Sequence, residues 1–240
     1  MTPFAPPLDA EALRSMYPER DGRAMSDNTK QARWIILLYN NLMRLFSARA
    51  DVFIAADNLW YPVEGNNKER QAPDVYVVFG RPKGDRGSYM QWLEGDVPLT
   101  VVFEIRSPGN TDEEMIKKHL FYDQHGVEEY YDYDPDANRL QIYTRGLATL
   151  RLHRDVAGFT SRRLGIRFEM TEPEMTVYGP NGLPFLTYDE LGNVSDDNAR
   201  RADDNAKRAA RLAKLGRKAR RGQATPEEVA ELERLEDESA

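Results

Sequence analysis

The 240-residue sequence contains no cysteine. That excludes disulfides, thiolate zinc sites and cysteine nucleophiles, and it fits a reducing compartment. Long apolar runs are missing too: no window of 18 or more apolar residues occurs. Met1 to Arg23 also lacks the basic-then-apolar pattern of a secretion signal. The expectation is a soluble cytoplasmic protein with no membrane association. Histidine is scarce, and His119, His125 and His153 show no metal-ligand spacing. No Gly-rich phosphate loop precedes a helix, which removes the common nucleotide-binding fingerprints.

Positive charge is in deficit. The chain holds 33 Lys and Arg against 40 Asp and Glu, a formal net charge of −7. A protein that coats DNA would carry the opposite excess to neutralise phosphates. The deficit lies in residues 1–194, with 22 basic and 29 acidic residues, since 195–240 holds 11 of each. An acidic body can still cut nucleic acid, because nuclease sites gather carboxylates around metal ions. It then needs local basic surfaces to hold the substrate.

What is present supports one substantial domain with an appendage: hydrophobic residues make up 40% of the chain, enough to bury a core. Residues 1–27 read as an arm with a short helix near Leu8–Tyr17. The spacing of Ile35, Leu38, Leu42, Leu45 and Phe46 predicts a helix over Thr29–Ala48, with Ser26, Asp27 and Asn28 as N-cap candidates. Strands are expected over Val52–Ala56, Leu59–Pro62 and Val75–Phe79, followed by a polar loop with Gly80, Pro82, Gly84 and Gly87. Leu99–Ile105 is a near-continuous apolar run, as in a central strand covered on both faces. Thr111 and Glu114 form a capping-box pattern for a helix reaching about Gln124. Strands at Val127–Tyr133, Leu140–Thr144, Leu150–His153 and Thr160–Phe168 follow, and Pro184–Leu191 closes the body. The fold class is therefore α/β (α+β): a mixed β-sheet flanked by helices over 28–194, plus a helical tail over 195–240. In the tail, alanines from Ala199 to Ala213 form a narrow coiled-coil-like stripe interrupted by Gly216 and Gly222. Thr225-Pro226-Glu227-Glu228 starts a second tail helix. Arg200–Arg221 holds 10 basic and 2 acidic residues and Glu227–Glu238 holds 7 acidic and one basic, so a hairpin or an antiparallel pairing between chains is expected.

Chemistry concentrates at two strand ends. Pro73-Asp74 opens one apolar strand, and Glu104 follows an apolar run near the end of another, just before Ile105-Arg106. A carboxylate in such a place is costly unless paired, hydrogen-bonded or bound to metal. If the strands are neighbours, the two carboxylates meet about 5 Å apart, a workable bite for a hard divalent ion. The bland alternative is a turn aspartate and a glutamate paired with Arg106. On the following helix Lys118 and Tyr122 share a face, and Lys117 is equally compatible with the periodicity.

The series "APDVYVVFG", "VVFEIRSPGNT", "KHLFY" and "HGVEEYYDYDP" resembles the Uma family of predicted restriction endonucleases, a branch of the PD-(D/E)XK nuclease superfamily, over roughly residues 28–190. The resemblance implies a restriction-endonuclease-like core in which Asp74 and Glu104 are metal ligands and the Ile105 carbonyl is a third. It implies that Lys118 is the active-site lysine, displaced from strand to helix, with Tyr122 and Glu129 in support. The superfamily's strand lysine is here Arg106, which can clamp charge but cannot serve as a base. At the start of the first helix, where the family commonly has a polar residue such as histidine, the chain reads Ser26-Asp27-Asn28-Thr29-Lys30-Gln31. The expectation is a Mg²⁺- or Mn²⁺-dependent endonuclease acting on DNA, with a homodimer as a candidate assembly. The rival is an inactive nuclease fold that binds or assembles and presents its tail. A metal-free carboxylate-pair hydrolase acting on sugars ranks last, because no sugar platform is evident.

Overall fold

The computed structural model describes residues 10–20, 22 and 24–237, so part of the expected arm lies outside the described residues. The chain divides into two compact units, Met1–Leu186 and Thr187–Ala240.

The first unit opens with α1 (Ala10–Met16) and α2 (Thr29–Leu45). Of the three cap candidates Asn28 is the one used, accepting a hydrogen bond from the Gln31 amide. Strands β1 (Val52–Ala56), β2 (Trp60–Tyr61), β3 (Val75–Phe79) and β4 (Tyr89–Met90) follow, then β5 (Val101–Ile105), α3 (Asp112–Gln124), β6 (Glu129–Asp134), β7 (Arg139–Arg145) and β8 (Leu150–Leu152). A six-stranded sheet runs β1-β3-β5-β6-β7-β8. All its pairs are antiparallel except β5–β6, which α3 joins as a crossover.

Side-chain alternation sorts the sheet's two faces. Val101, Phe103 and Ile105 point to the α2 side, where they pack with Trp34, Ile35, Leu38 and Leu42. Val102 points to the α3 side and packs with Tyr76, Tyr122 and Tyr130. Every residue of β5 is buried, Glu104 included, as its near-continuous apolar run requires. A small sheet of β9 (Arg167–Glu169) and β10 (Thr176–Tyr178) contributes Phe168 and Val177 to the α2-side core.

One local expectation is corrected. Thr160–Phe168 is not one strand: Gly165, at φ +69°, turns the chain so that Thr160 bridges back to Arg167. The polar loop after β3 leads into β4, which pairs in parallel with β2.

The second unit starts earlier than the compositional change at Ser195. Thr187 forms a full capping box with Glu190, so α4 (Tyr188–Arg220) includes the second half of the segment read as closing the body. Gly216 does not break it. The stop comes at Gly222, whose φ of +67° lets its amide and that of Gln223 reach back to Ala219 and Lys218. Helix α5 (Pro226–Asp237) then folds back: Arg211 pairs with Glu231, Lys218 with Glu228, and Arg208 donates to the Leu235 carbonyl. The tail pairs within the chain as an antiparallel hairpin. No helix among the described residues is long and apolar enough to cross a membrane.

Candidate active site

Strands β3 and β5 are neighbours, with Val75 opposite Phe103. Extending that register by one residue sets Asp74 beside Glu104. Asp74 is fixed by its own partner strand, because its Oδ2 accepts from the Ile105 amide at 2.6 Å. The adjacent carbonyl of Ile105 accepts from Gln31 Nε2 at 2.8 Å. Gln31 Oε1 in turn accepts from the Asp27 amide at 2.8 Å.

Glu104, 1% exposed, points to the α3 side of the sheet. There Lys118 Nζ donates to its Oε2 at 2.7 Å, and the buried Tyr122 hydroxyl donates to its Oε1. Four-residue spacing puts Lys118 and Tyr122 on the helix face that overhangs Glu104. Lys117 is largely exposed at the rim and pairs with Glu113 at 2.7 Å instead of reaching Glu104.

Burial raises the pKa of Asp74 well above the ordinary carboxylate range, and the Glu104 charge adds to the shift. Burial also raises that of Glu104, against the stabilising charge and hydrogen bond of Lys118. Lys118 is opposed by its own burial, yet the two carboxylates hold its pKa above the usual value. Carboxylates about 5 Å apart repel by roughly 3 kcal/mol at an effective dielectric of 20, and an ion pair within 4 Å returns about 4. One lysine can therefore hold one ionised carboxylate of the pair, while the other remains a strained charge.

Asp74, Gln31 and Lys118 line a polar cleft of about 450 Å³ whose walls also include Asp27, Asp57, Lys68, Arg70, Glu114 and Lys117, with the buried Glu104 behind Lys118. The 24–27 segment is latched over one end, where Ser107 Oγ donates to Asp27 Oδ2 at 2.5 Å. Among the described residues no group of three or more His, Asp or Glu side chains gathers as a metal cage. The donors that converge are two carboxylates and one backbone carbonyl.

Two residues expected in support lie elsewhere. Arg106 is bound by both oxygens of the buried Asp132, through Nε at 2.8 Å and Nη2 at 2.7 Å, and by Asp112 at 2.7 Å. It lines a separate cavity on the other flank of α3 with His119 and Tyr143. Glu129 lies opposite Val101, several positions down the strand from Glu104, and side-chain alternation turns it to the opposite face. There it accepts from Tyr131, Ser161 and the amides of Arg162 and Arg163, so it anchors a loop.

Gln31 stands in the Ser26–Gln31 stretch at the start of the first helix, where motif reading assigns it no role. Its signal was available: it continues the buried α2 stripe of Ile35, Leu38 and Leu42 at spacings of four and three, as a polar residue on an apolar face. Lys68 and Arg70 carried no such signal, since only the fold brings the β2–β3 segment to the cleft.

A family profile, Uma2, described as "Putative restriction endonuclease", matches residues 13–171. Among solved structures, the chain is similar to the crystal structure of "a putative nuclease belonging to DUF820" from Anabaena variabilis. That similarity is 12% sequence identity and a TM-score of 0.43, covering 56% of this chain and 72% of the other. No curated protein matches.

Proposed function

Because this chain belongs to the Uma2 family, "Putative restriction endonuclease", we propose that its cleft binds a divalent ion and hydrolyses phosphodiester bonds of DNA. The observation that carries this reading is a polar cleft lined by Asp74 and Lys118, with Glu104 held by Lys118 and Ile105 held to Asp74 directly behind it. The donor set fits Mg²⁺ or Mn²⁺, hard cations that take oxygen ligands and keep several waters. Asp74, Glu104 and Ile105 would hold the ion. Bound there, it would neutralise phosphate charge and acidify a water.

The remaining work falls to the chain's own groups. The Ile105 amide fixes Asp74, and the Tyr122 hydroxyl fixes Glu104, so each keeps one rotamer. Gln31 orients the Ile105 carbonyl toward its strand-end position. Lys118, held cationic by both carboxylates, would stabilise negative charge developing on the phosphate. It cannot act as a base while so held.

The test is cleavage of plasmid and single-stranded DNA against Mg²⁺ and Mn²⁺ concentration, beside calorimetric Mn²⁺ titration. Asp74→Asn and Glu104→Gln should each lose both ion binding and cleavage while remaining folded. Unchanged Mn²⁺ binding in both variants would remove the site assignment.

A second reading, an inactive nuclease fold that binds or assembles, is favoured by one observation. Lys118 sits directly on Glu104, where it competes with a cation for that carboxylate. A folded wild-type chain that binds no Mn²⁺ and cuts no nucleic acid would select this reading.

A further inference from the structure

Lys68, Glu69 and Arg70 alternate in charge near the end of the segment joining β2 to β3. The fold separates them by sign. Lys68 and Arg70 line the cleft beside Asp74 and Lys118. Glu69 turns the other way, to the end of α3, where it accepts from Gln124 Nε2 at 3.1 Å and lies 2.8 Å from His125 Nε2.

The segment is held at several further points. The Gly65 amide donates to the Tyr17 hydroxyl at 2.6 Å, and Asn67 Nδ2 donates to the Met16 carbonyl at 2.7 Å. Asn66 Nδ2 donates to Glu69 at 3.0 Å, and Trp60 and Gln71 exchange backbone hydrogen bonds at 2.7 and 3.2 Å. Tyr17 is itself 1% exposed. α1 and α3 thus fix both sides of this segment, and the backbone that carries Lys68 and Arg70 needs no ordering when a ligand arrives.

Neither cation is spent on a carboxylate. Among the described residues the Lys68 ammonium has no partner, and Arg70 donates only to the Tyr61 hydroxyl, at 3.3 Å. Many other basic side chains of this unit are already paired, including Arg33, Arg49, Arg86, Arg106 and Arg163. The cleft floor is acidic, so a polyanion entering it needs fixed positive charge at the rim. We propose that residues 62–72 form a rigid arm that grips the backbone of a nucleic acid, with Lys68 and Arg70 each neutralising a phosphate beside the one held in the cleft. The assignment of the polyanion as nucleic acid rests on the nuclease reading; the arm's geometry does not.

Fluorescence anisotropy of a labelled short DNA duplex in the Asp74→Asn background, which leaves DNA uncut, tests this. Adding Lys68→Ala and Arg70→Ala should weaken binding about tenfold or more and flatten the slope of log K against log salt by roughly 1.8, about 0.9 per lost contact. The exposed Lys68→Glu should weaken binding more than Lys68→Ala, with no effect on folding. Glu69→Ala separates grip from charge: loss of a negative charge alone would tighten binding, whereas release of the arm weakens it. An unchanged affinity and slope in the double variant overturns the proposal, as does tighter binding by Glu69→Ala or a parent that binds no DNA. Mn²⁺ calorimetry on Lys68→Ala with Arg70→Ala in the otherwise wild-type chain reads the metal site separately. Intact Mn²⁺ binding beside any of those results leaves the cleft reading standing and removes only the arm.

Discussion

Lys118 donates to the buried Glu104 across 2.7 Å, whereas its neighbour Lys117 faces solvent and reaches only Glu113. A one-residue difference on a helix is a 100° rotation, and here it decides between the buried carboxylate and the exposed rim of the cleft. Lys118→Ala should therefore abolish cleavage without weakening Mn²⁺ binding, since it removes a cation that competes for Glu104. It should also cost roughly 3 kcal/mol in the ion-free protein, the scale for unpairing a buried charge, until Glu104 relieves the strain by taking up a proton. Lys117→Ala should melt and cleave as wild type does. Chemical denaturation and cleavage rates on both variants check this, and a reversed pattern would mean the helix register at the site is misassigned.

The carboxylate pair predicts an unusual pH profile. Asp74 and Glu104 both have folded-state pKa values raised by burial, Asp74 the more strongly. For a raised acid, the stabilising contribution is fully present below the unfolded pKa, near 4, and is lost as pH rises through the folded value. The ion-free protein should therefore lose stability from this site as pH climbs above about 4. Mn²⁺ needs the deprotonated forms, so its affinity should rise over the same range and each ion bound should release protons. Asp74→Asn should flatten the profile, because the amide oxygen can still accept from Ile105 without carrying charge. Thermal melts across pH, with and without Mn²⁺, measure this; an identical profile in Asp74→Asn would exclude Asp74 as its source.

Gln31 joins a strand end to the segment before α2 by the two ends of its amide, at Ile105 and Asp27. Gln31→Leu would fill the space and leave the Ile105 carbonyl and the Asp27 amide without it. The expected loss is about 1 to 3 kcal/mol, the cost of an unsatisfied buried polar group. Mn²⁺ affinity should fall with it, since an unheld carbonyl is a poorer ligand. A stability loss with Mn²⁺ affinity unchanged would show Gln31 to be structural only.

The elements legible in the sequence were those with one strong local signal. The starts of α2 and α3 and the end of β5 fall where capping and the apolar run place them, because Asn28, Thr111 and the β5 run each leave few alternatives. The pairing of Asp74 with Glu104 was legible only as a condition, that their strands be neighbours. Arg106 could not be assigned from the chain, because its partner Asp132 comes from β6 and only the parallel β5–β6 register brings them together. Glu129 failed as a site residue for a parity reason: it lies an odd number of positions from the Glu104 partner Asp132 and faces the other side. Lys68 and Arg70 lay in a polar stretch whose importance comes from contacts distant in sequence, to Tyr17 and His125.

The tail offers the last prediction. Every residue of the three buried core clusters precedes Thr187, so deleting Thr187–Ala240 removes none of them. The remaining chain should melt as the intact protein does, with only the helical signal of α4 and α5 lost. Within the tail, Arg211–Glu231 and Lys218–Glu228 lie near the surface, and salt screens such pairs. The alanine stripe buries little apolar area, so hydrophobic stabilisation cannot replace them. The isolated 187–240 peptide should therefore lose helicity as salt rises. Its basic stretch, Arg200–Arg221, is partly neutralised by α5 in the hairpin, which weakens it as a DNA-holding surface. Deletion should accordingly change the salt slope of DNA binding less than Lys68→Ala with Arg70→Ala does. A larger change on deletion would move the main phosphate contacts to the tail, and unfolding of the truncated chain would mean that α4 carries stability the core clusters do not reveal.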